Sequence, residues 1–485
     1  MSISAALSTA QQIFNNTGTQ TSVTSTNIAN TQNANYAKRT AVLVSNGNGA
    51  LVASTTREQN EPLLRQTIAS TALASGQSTL AAGLEEIRSL LGGNDYETSM
   101  STKMTTLLNN LGAYAAKPSE ATLAATAVSS AQDVVNTLRT TSTELQAIRA
   151  RTDAELKTQV DKLNNLLSQF EAANTAVVQA QAINRQDNNA LDTRDTLLKQ
   201  ISEIVGISST IRAGGDMALY TSDGTTLFET IPRAVTFTPT KTYTAATEGS
   251  VLRIDGFELK PGVGGETSAS GSLQALLQIR DDIAPTFQSQ LDEIARGLIV
   301  AFAETGPNDD QPALAGLFTN GIDKTVNDSG SRVVGLAATI SVNAFVKDKP
   351  TLLRDGDING ASPAYAWNPT ADSSYSALLD HYSQMMQAKG SFDEDTAVGG
   401  TDIDLMSFAS DSTGWLEALR SSSVTATETK TAMQSRAAEA LSSETGVSLD
   451  EELSLLLDIE QSYKAATKLV STIDEMISAL LTAAG

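Results

Sequence analysis

Residues 449–480 read LDEELSLLLDIEQSYKAATKLVSTIDEMISAL. Within them Leu455, Ile459, Ser462, Ala466, Leu469, Ile473, Met476 and Leu480 follow one another at alternating steps of four and three. That is the a/d spacing of a coiled-coil seam. A second row, Leu449, Leu456, Tyr463, Val470 and Ile477, recurs every seven residues. Together the rows make an apolar face wider than a two-stranded seam needs. The spacing predicts a helix that buries against more than one neighbour.

The opposite end of the chain carries the same pattern. Ile3, Leu7, Ala10, Phe14, Thr17, Thr21, Thr24 and Ile28 keep the four–three alternation, with Gly18 and three threonines in the middle. Such a helix is marginal alone, because a short isolated helix bears the nucleation cost without enough propagation. It needs a partner, and the C-terminal helix is the candidate. An amphipathic helix lying on its own globular core is the commoner meaning of this pattern. Here, however, it occupies both extreme ends of a chain, where domains usually fray.

Between the ends the composition alternates. Stretches near 62–92 and 119–204 are rich in Ala, Leu, Gln and Glu and read as long helices, with Pro118 and Ser119 marking a boundary. Leu156, Val160, Leu163, Leu167, Phe170, Asn174 and Val177 form a third heptad. Asn174 in that row either fixes register or is a tolerated edge residue. Residues 206–270 alternate short β-branched runs with turn signals such as Gly214-Gly215 and Asp223-Gly224, and read as a small β-rich unit. Helix returns at 271–304, with Pro285 as a break or kink. Residues 306–420 are mixed, and 421–444 are helical again. The expected fold is α+β and multidomain. A terminal helical coiled coil takes 1–38 and 447–485, and a long-helix bundle takes 39–205, 271–305 and 421–446. Outer β-rich or mixed insertions take 206–270 and 306–420.

Composition removes many functions. The 485 residues contain no cysteine and one histidine, His381. Disulfides, thiol nucleophiles, Cys-ligated metals and His₂ or His₃ metal sites are therefore excluded within the chain. The formal charge is −22, the wrong sign for a nucleic-acid binder or an anionic membrane surface. No stretch is long and apolar enough to be read as a membrane-spanning helix. The start of the chain lacks the basic and apolar regions of a secretory signal. That leaves a cytosolic protein or one exported by a route without a cleaved signal.

Local chemistry is thin. Asp355, Asp357, Asn359 and Gly360 match the first half of a calcium-binding loop, but the twelfth position is Ala366 rather than a bidentate Glu. The expectation is a hydrophilic turn. Gly262, Gly264 and Gly265 lack the remainder of a phosphate-loop signature. His381 sits in LLDHYSQMM without a nucleophile elbow and reads as structural. Carboxylate pairs such as Asp281-Asp282 and Asp309-Asp310 read as solvated faces. No catalytic residue, cofactor or metal site is assigned.

The two ends also carry motifs. Ser25–Thr31, containing Asn27-Ile28-Ala29-Asn30 and followed by Asn35-Tyr36, resembles the N-terminal signature of flagellar rod, hook and hook-associated proteins. Glu460–Ala466, then Val470 and Asp474–Ile477, resembles the matching C-terminal helix. Interior segments are similar to the hook-associated protein 1 family: Arg57 with Glu61–Leu64, Leu191–Leu198, Leu273–Leu277 with Arg280–Asp282, Gln290–Ala295 and Gly446–Glu452. One departure is Asn35, where that superfamily usually has Gly. Asn tolerates a left-handed backbone best after Gly, so the turn is expected to be kept.

The resemblance implies a structural, non-enzymatic subunit that joins flagellar hook to filament. It implies export of the chain through the flagellar type III apparatus, an extracellular location, and assembly with identical subunits, the hook protein and the next junction protein. It also implies an export chaperone at the C-terminal helix, and neither nucleic acid nor membrane insertion. The expected assembly interface comprises Ile3, Leu7, Phe14, Asn27, Ile28, Asn30, Tyr36, Leu455, Ile459, Tyr463, Leu469, Val470, Ile473, Met476, Ile477 and Leu480. Two other readings stand beside it: another axial protein of hook or flagellin type, or a surface adhesin or enzyme on an axial scaffold with 306–420 as its active part. In the free subunit the two terminal helices are expected to lack partners.

Overall fold

The computed structural model describes residues 3–46 and 49–484; Met1, Ser2 and Gly485, the outermost residues of the expected terminal unit, lie outside it. Its long axis is set by α4 (Ala121–Ala182), about 90 Å at 1.5 Å per residue. The third heptad lies on this helix, and every member from Leu156 to Val177 is buried. Asn174 neither faces an edge nor pairs with a like residue. It donates to Asp216 Oδ1 (2.7 Å) and accepts from the Met217 amide (3.1 Å), so it tethers the β-rich insertion to the helix.

Two hydrophobic cores are strung along α4. The rear half, Leu156 to Ala173, packs with α5 (Asn188–Ile204) and with the insertion. That insertion is two three-stranded antiparallel sheets, β3 (Ile207–Ile211), β4 (Met217–Thr221) and β5 (Thr226–Phe228), then β6 (Val235–Thr236), β7 (Arg253–Ile254) and β8 (Phe257–Glu258). The front half, Ala124 to Ile148, packs with the end of α2 (Glu61–Ser89), with α3 (Met100–Ala116) and with the second half of the chain.

The helical return at 271–304 is three pieces: α6 (Ser272–Gln278), a π turn (Ile279–Ile283) and α7 (Ala284–Ala301). Pro285 sits in the first turn of α7, where its missing N–H costs nothing, and the wide turn before it absorbs the break. The π turn brings Arg280 inside, 1% exposed. Arg280 pairs with Asp153 of α4 and with Asp281, while Asp153 also accepts from the Tyr243 hydroxyl (2.8 Å) and the Thr240 amide (2.6 Å). One carboxylate therefore ties helix, π turn and insertion at the boundary of the two cores.

Residues 306–404 are not an outward module. They contribute short elements: α8 (Leu336–Thr339), α9 (Ala344–Asp348), α10 (Leu352–Asp355), α11 (Ala377–Met385), the strand pairs β11 (Phe318–Asn320) with β12 (Ile340–Val342) and β13 (Lys389–Gly390) with β14 (Ile403–Asp404), and β10 (Leu314–Ala315), which pairs with β9 (Ala303–Glu304) just before the segment. Phe318 and Tyr382 from these elements meet Phe302 at 5.0 and 4.9 Å between ring centres, inside the front core. The reason is α7, nearly every residue of which is buried. A helix buried on all sides needs cover on all sides and partners for its polar groups: the Gly335 and Ala337 amides donate to Asp292 (2.8 and 2.9 Å) and the Asp393 amide to Glu293 (3.0 Å), all from this segment.

Two further elements depart from the sequence reading. α12 (Leu405–Thr445) begins sixteen residues before the expected 421, capped by Asp404, whose carboxylate accepts the Ser407 amide (2.9 Å). Residues 39–57, grouped with the bundle, form an antiparallel hairpin, β1 (Arg39–Asn46) and β2 (Gly49–Arg57), with a bulge after Val42. Its signal was present in two β-branched runs flanking Asn46 to Gly49.

Truncating Asp153 to Ala leaves Arg280 with the Ser250 carbonyl and with one carboxylate, the half-exposed Asp281. Denaturant unfolding should show a loss of about 3 kcal/mol, the lower end for breaking a buried pair. The Asn variant, which still accepts hydrogen bonds, should lose less.

Candidate assembly interface

The chain ends meet. α1 (Ile3–Ala29) packs along α13 (Leu449–Ala484). The Phe14 and Tyr463 rings lie edge to face at 5.1 Å, while Lys38, beyond the end of α1, reaches Glu451 at 2.7 Å near the start of α13. The helices are therefore antiparallel. The C-terminal helix is the partner of the N-terminal one, as the seams suggest, and the expectation that the two lack partners in the free subunit is corrected.

The seam uses one row per helix. On α13, Glu452, Ile459, Ala466 and Ile473 are buried, spaced by sevens. On α1, half-buried Ile3 begins a row that continues through buried Ala10, Thr17 and Thr24 at the same spacing. Thr17 turns its hydroxyl back to the Ile13 carbonyl (2.9 Å), so its methyl is free to pack. Small residues on α1 let the two backbones approach. They also leave most of the broad apolar face of α13 uncovered.

Of the sixteen expected interface residues seven are exposed, six of them on that uncovered face and Leu7 on α1. Leu7, Leu455, Tyr463, Leu469, Met476, Ile477 and Leu480 are exposed, with Tyr463 at 53%, Met476 at 51% and Leu480 at 57%. Ile3, Phe14, Ile28, Asn30 and Val470 are half-buried, and Ile459 and Ile473 are in the seam. Leu453, Leu457 and Leu481 widen the face and were missed, because they fall off both heptad rows. Leu43, Val44 and Leu51 on the hairpin, which lies against α1, add further exposed apolar surface. Exposed apolar groups on this scale mark an interaction surface.

Asn27 and Tyr36 act within the subunit. Asn27 is buried; its Oδ1 accepts from the Tyr36 hydroxyl (2.7 Å) and the Arg39 amide (3.1 Å), and its Nδ2 donates to the Arg39 carbonyl (2.9 Å). The signature thus locks the chain reversal between α1 and β1. Asn30 takes part from the surface, donating to the Thr26 carbonyl (2.9 Å) and accepting from Asn33 (3.2 Å). Asn35 does not take a left-handed φ; its amide donates to Asn33 Oδ1 (3.1 Å), so no glycine-like backbone is needed. Asn16 does for the hairpin what Asn27 does for the turn, donating to the Ala50 carbonyl (2.6 Å) and accepting the Val52 amide (3.0 Å).

The joint between terminal pair and body is ionic. Arg57 donates to Asp192 (2.6 Å) and Asp195 (2.7 Å) of α5, and Arg39 shares Asp192 (3.0 Å). No local spacing announces this cluster, whose members come from opposite ends of a long sequence separation.

The half calcium loop is spent on structure. Asp355 accepts from Arg354 (2.8 Å) and Asn368 (2.7 Å). Asn359 is buried, donating to Glu304 (3.2 Å) and the Ala315 carbonyl (2.7 Å). Gly356 and Ala366 close the loop as an antiparallel bridge. Among the described residues no group of three His, Asp or Glu is placed to hold a metal. His381 lies against Trp367 at 4.9 Å, and burial lowers its proton affinity.

Two family matches follow this geometry. Residues 84–306 match the flagellar hook-associated protein FlgK helical domain, and residues 440–483 match the flagellar basal body rod FlgEFG protein C-terminal family. Helical ends paired around an inserted body accompany those two matches, and both matched families are flagellar. Among flagellar proteins the chain resembles flagellar hook-associated protein 1. It is 22% identical to that protein of Bacillus subtilis over 84% of this chain and 80% of the relative. It is 22% identical to that of Escherichia coli over 58% of this chain. The match spans about half the length of the Escherichia coli and Salmonella typhimurium relatives. The fold is shared with the flagellar hook junction protein FlgK from Burkholderia pseudomallei, with a TM-score of 0.58 and 12% identity over 78% of this chain and 99% of that one.

Replacing Asn27 by Ala strands the Tyr36 hydroxyl and the Arg39 amide. It should cost about 1–3 kcal/mol locally. Hydrogen exchange should quicken across residues 31–40 and leave α4 unchanged. Calcium titrated to about millimolar concentration, the weak end of known loops, should leave the melting temperature unmoved.

Proposed function

We propose that this chain is a structural subunit of the bacterial flagellum, joining hook to filament and assembling through α1 and α13. The observation that carries the reading is the bare apolar face of α13 beside a seam that uses only one row of that helix. The face is ordered on a helix yet unsatisfied, and neighbouring copies of the same pair would bury it. The hook protein and the next junction protein take the two ends of such an assembly. An export chaperone covers the same face of α13 beforehand, and the chain leaves the cell through the flagellar export apparatus. The role is structural and not catalytic: the polar clusters described above are bonded into turns, caps and joints.

Loss of the gene should leave cells with hooks, no filaments, and flagellin shed into the medium. The sharper experiment replaces exposed Leu455, Leu469 and Met476 together by Ser. These side chains contribute little to the free subunit, so its melting should match the parent. Incorporation into flagella should fail while secretion, scored separately, continues. Normal filaments on that variant would overturn the proposal.

A further inference from the structure

Between the strap 30–38 and the body lies a cleft of about 510 Å³. Tyr36 of the strap, Leu64 of α2 and Leu441 of α12 line it, together with two cations of α5, Arg194 and Lys199. Arg194 is 5% exposed. Its Nη1 donates to two neutral acceptors, the Gly215 carbonyl (2.8 Å) and Asn174 Oδ1 (3.3 Å), and its buried Nε has no partner. The Lys199 ammonium makes no hydrogen bond or ion pair among the described residues. Asp195, the carboxylate that acts on both, is already bonded by Arg57 (2.7 Å). Burial lowers the proton affinity of Lys199, with Arg57 pushing the same way against Asp195.

Despite the acidic chain neither cation has a carboxylate of its own, since Asp195 is held by Arg57, and a buried donor without an acceptor such as Arg194 Nε is costly. An anion in the cleft removes both penalties at once. The lining also carries exposed carboxylates, Glu58, Glu61 and Glu203, the second beside Arg65 at 3.8 Å. They repel an extended polyanion and admit a small one. We propose that this cleft binds a small oxyanion, a carboxylate or a phosphate, through Lys199 and Arg194. Because Asn35, Tyr36 and Ala37 line the same cleft, occupancy braces the strap and with it the terminal helix pair.

The test is calorimetric titration of the full chain with inorganic phosphate and, separately, with glutarate, against chloride of matched ionic strength. Saturable binding of either is expected, and which one saturates identifies the oxyanion. Lys199→Gln should weaken it roughly ten- to a hundredfold, the worth of one charge-assisted contact. Lys199→Arg should retain it, and hydrogen exchange at 31–37 should slow on binding only in the parent and the Arg variant. Absence of saturation by both probes in the parent overturns the proposal. So does equal binding by a Gln variant whose melting matches the parent.

Discussion

Ala10, Thr17 and Thr24 of the first helix line the seam with Ile459, Ala466 and Ile473 of the last, and this contact closes the chain on itself. Everything between must leave the pair and return to it. The outward path is the hairpin 39–57, held by Asn16 and by the Arg39, Arg57, Asp192 and Asp195 cluster. The return path is α12, which meets the outward one where the Lys38 amide bonds the Thr445 carbonyl at 2.8 Å. Small residues on one side of the seam set a close approach. The same choice leaves the wide face of α13 open.

The body follows from one long helix. A single α4 carries two cores because its buried row runs past the reach of any one set of neighbours. Asp153 stands where the cores meet, and its contacts with Arg280, Tyr243 and Thr240 join elements that apolar packing alone leaves free to slide. Buried ionic contacts of this kind are costly to form and costlier to break singly, which suits positioning more than bulk stability.

Particular residues show how legible this was. The three heptads stood out because a period of seven survives any tertiary context, and all three proved helical. Asn174 was visible as an exception, but its partners Asp216 and Met217 lie on another element and no local pattern names them. The hairpin shows no clean apolar alternation: the consecutive residues Leu43 and Val44, which point to opposite faces, are both exposed, as is Leu51. Segment 306–420 reads as an outer insertion, since its Asp, Gly and Asn content is that of turns. Phe318 and Tyr382 are nonetheless central to the front core.

By itself the sequence determined the helical ends, their apolar rows, the β-rich character of 206–270 and the exclusion of thiol and multi-histidine chemistry. These depend on periodicity and composition, which are local and additive. Only the tertiary structure decided that the ends pair within the single subunit, that one row is buried and its neighbours are left bare, and that Asn27 and Tyr36 serve the subunit's own turn. Those outcomes depend on which surfaces compete for the same contact, and that competition is settled between residues hundreds of positions apart.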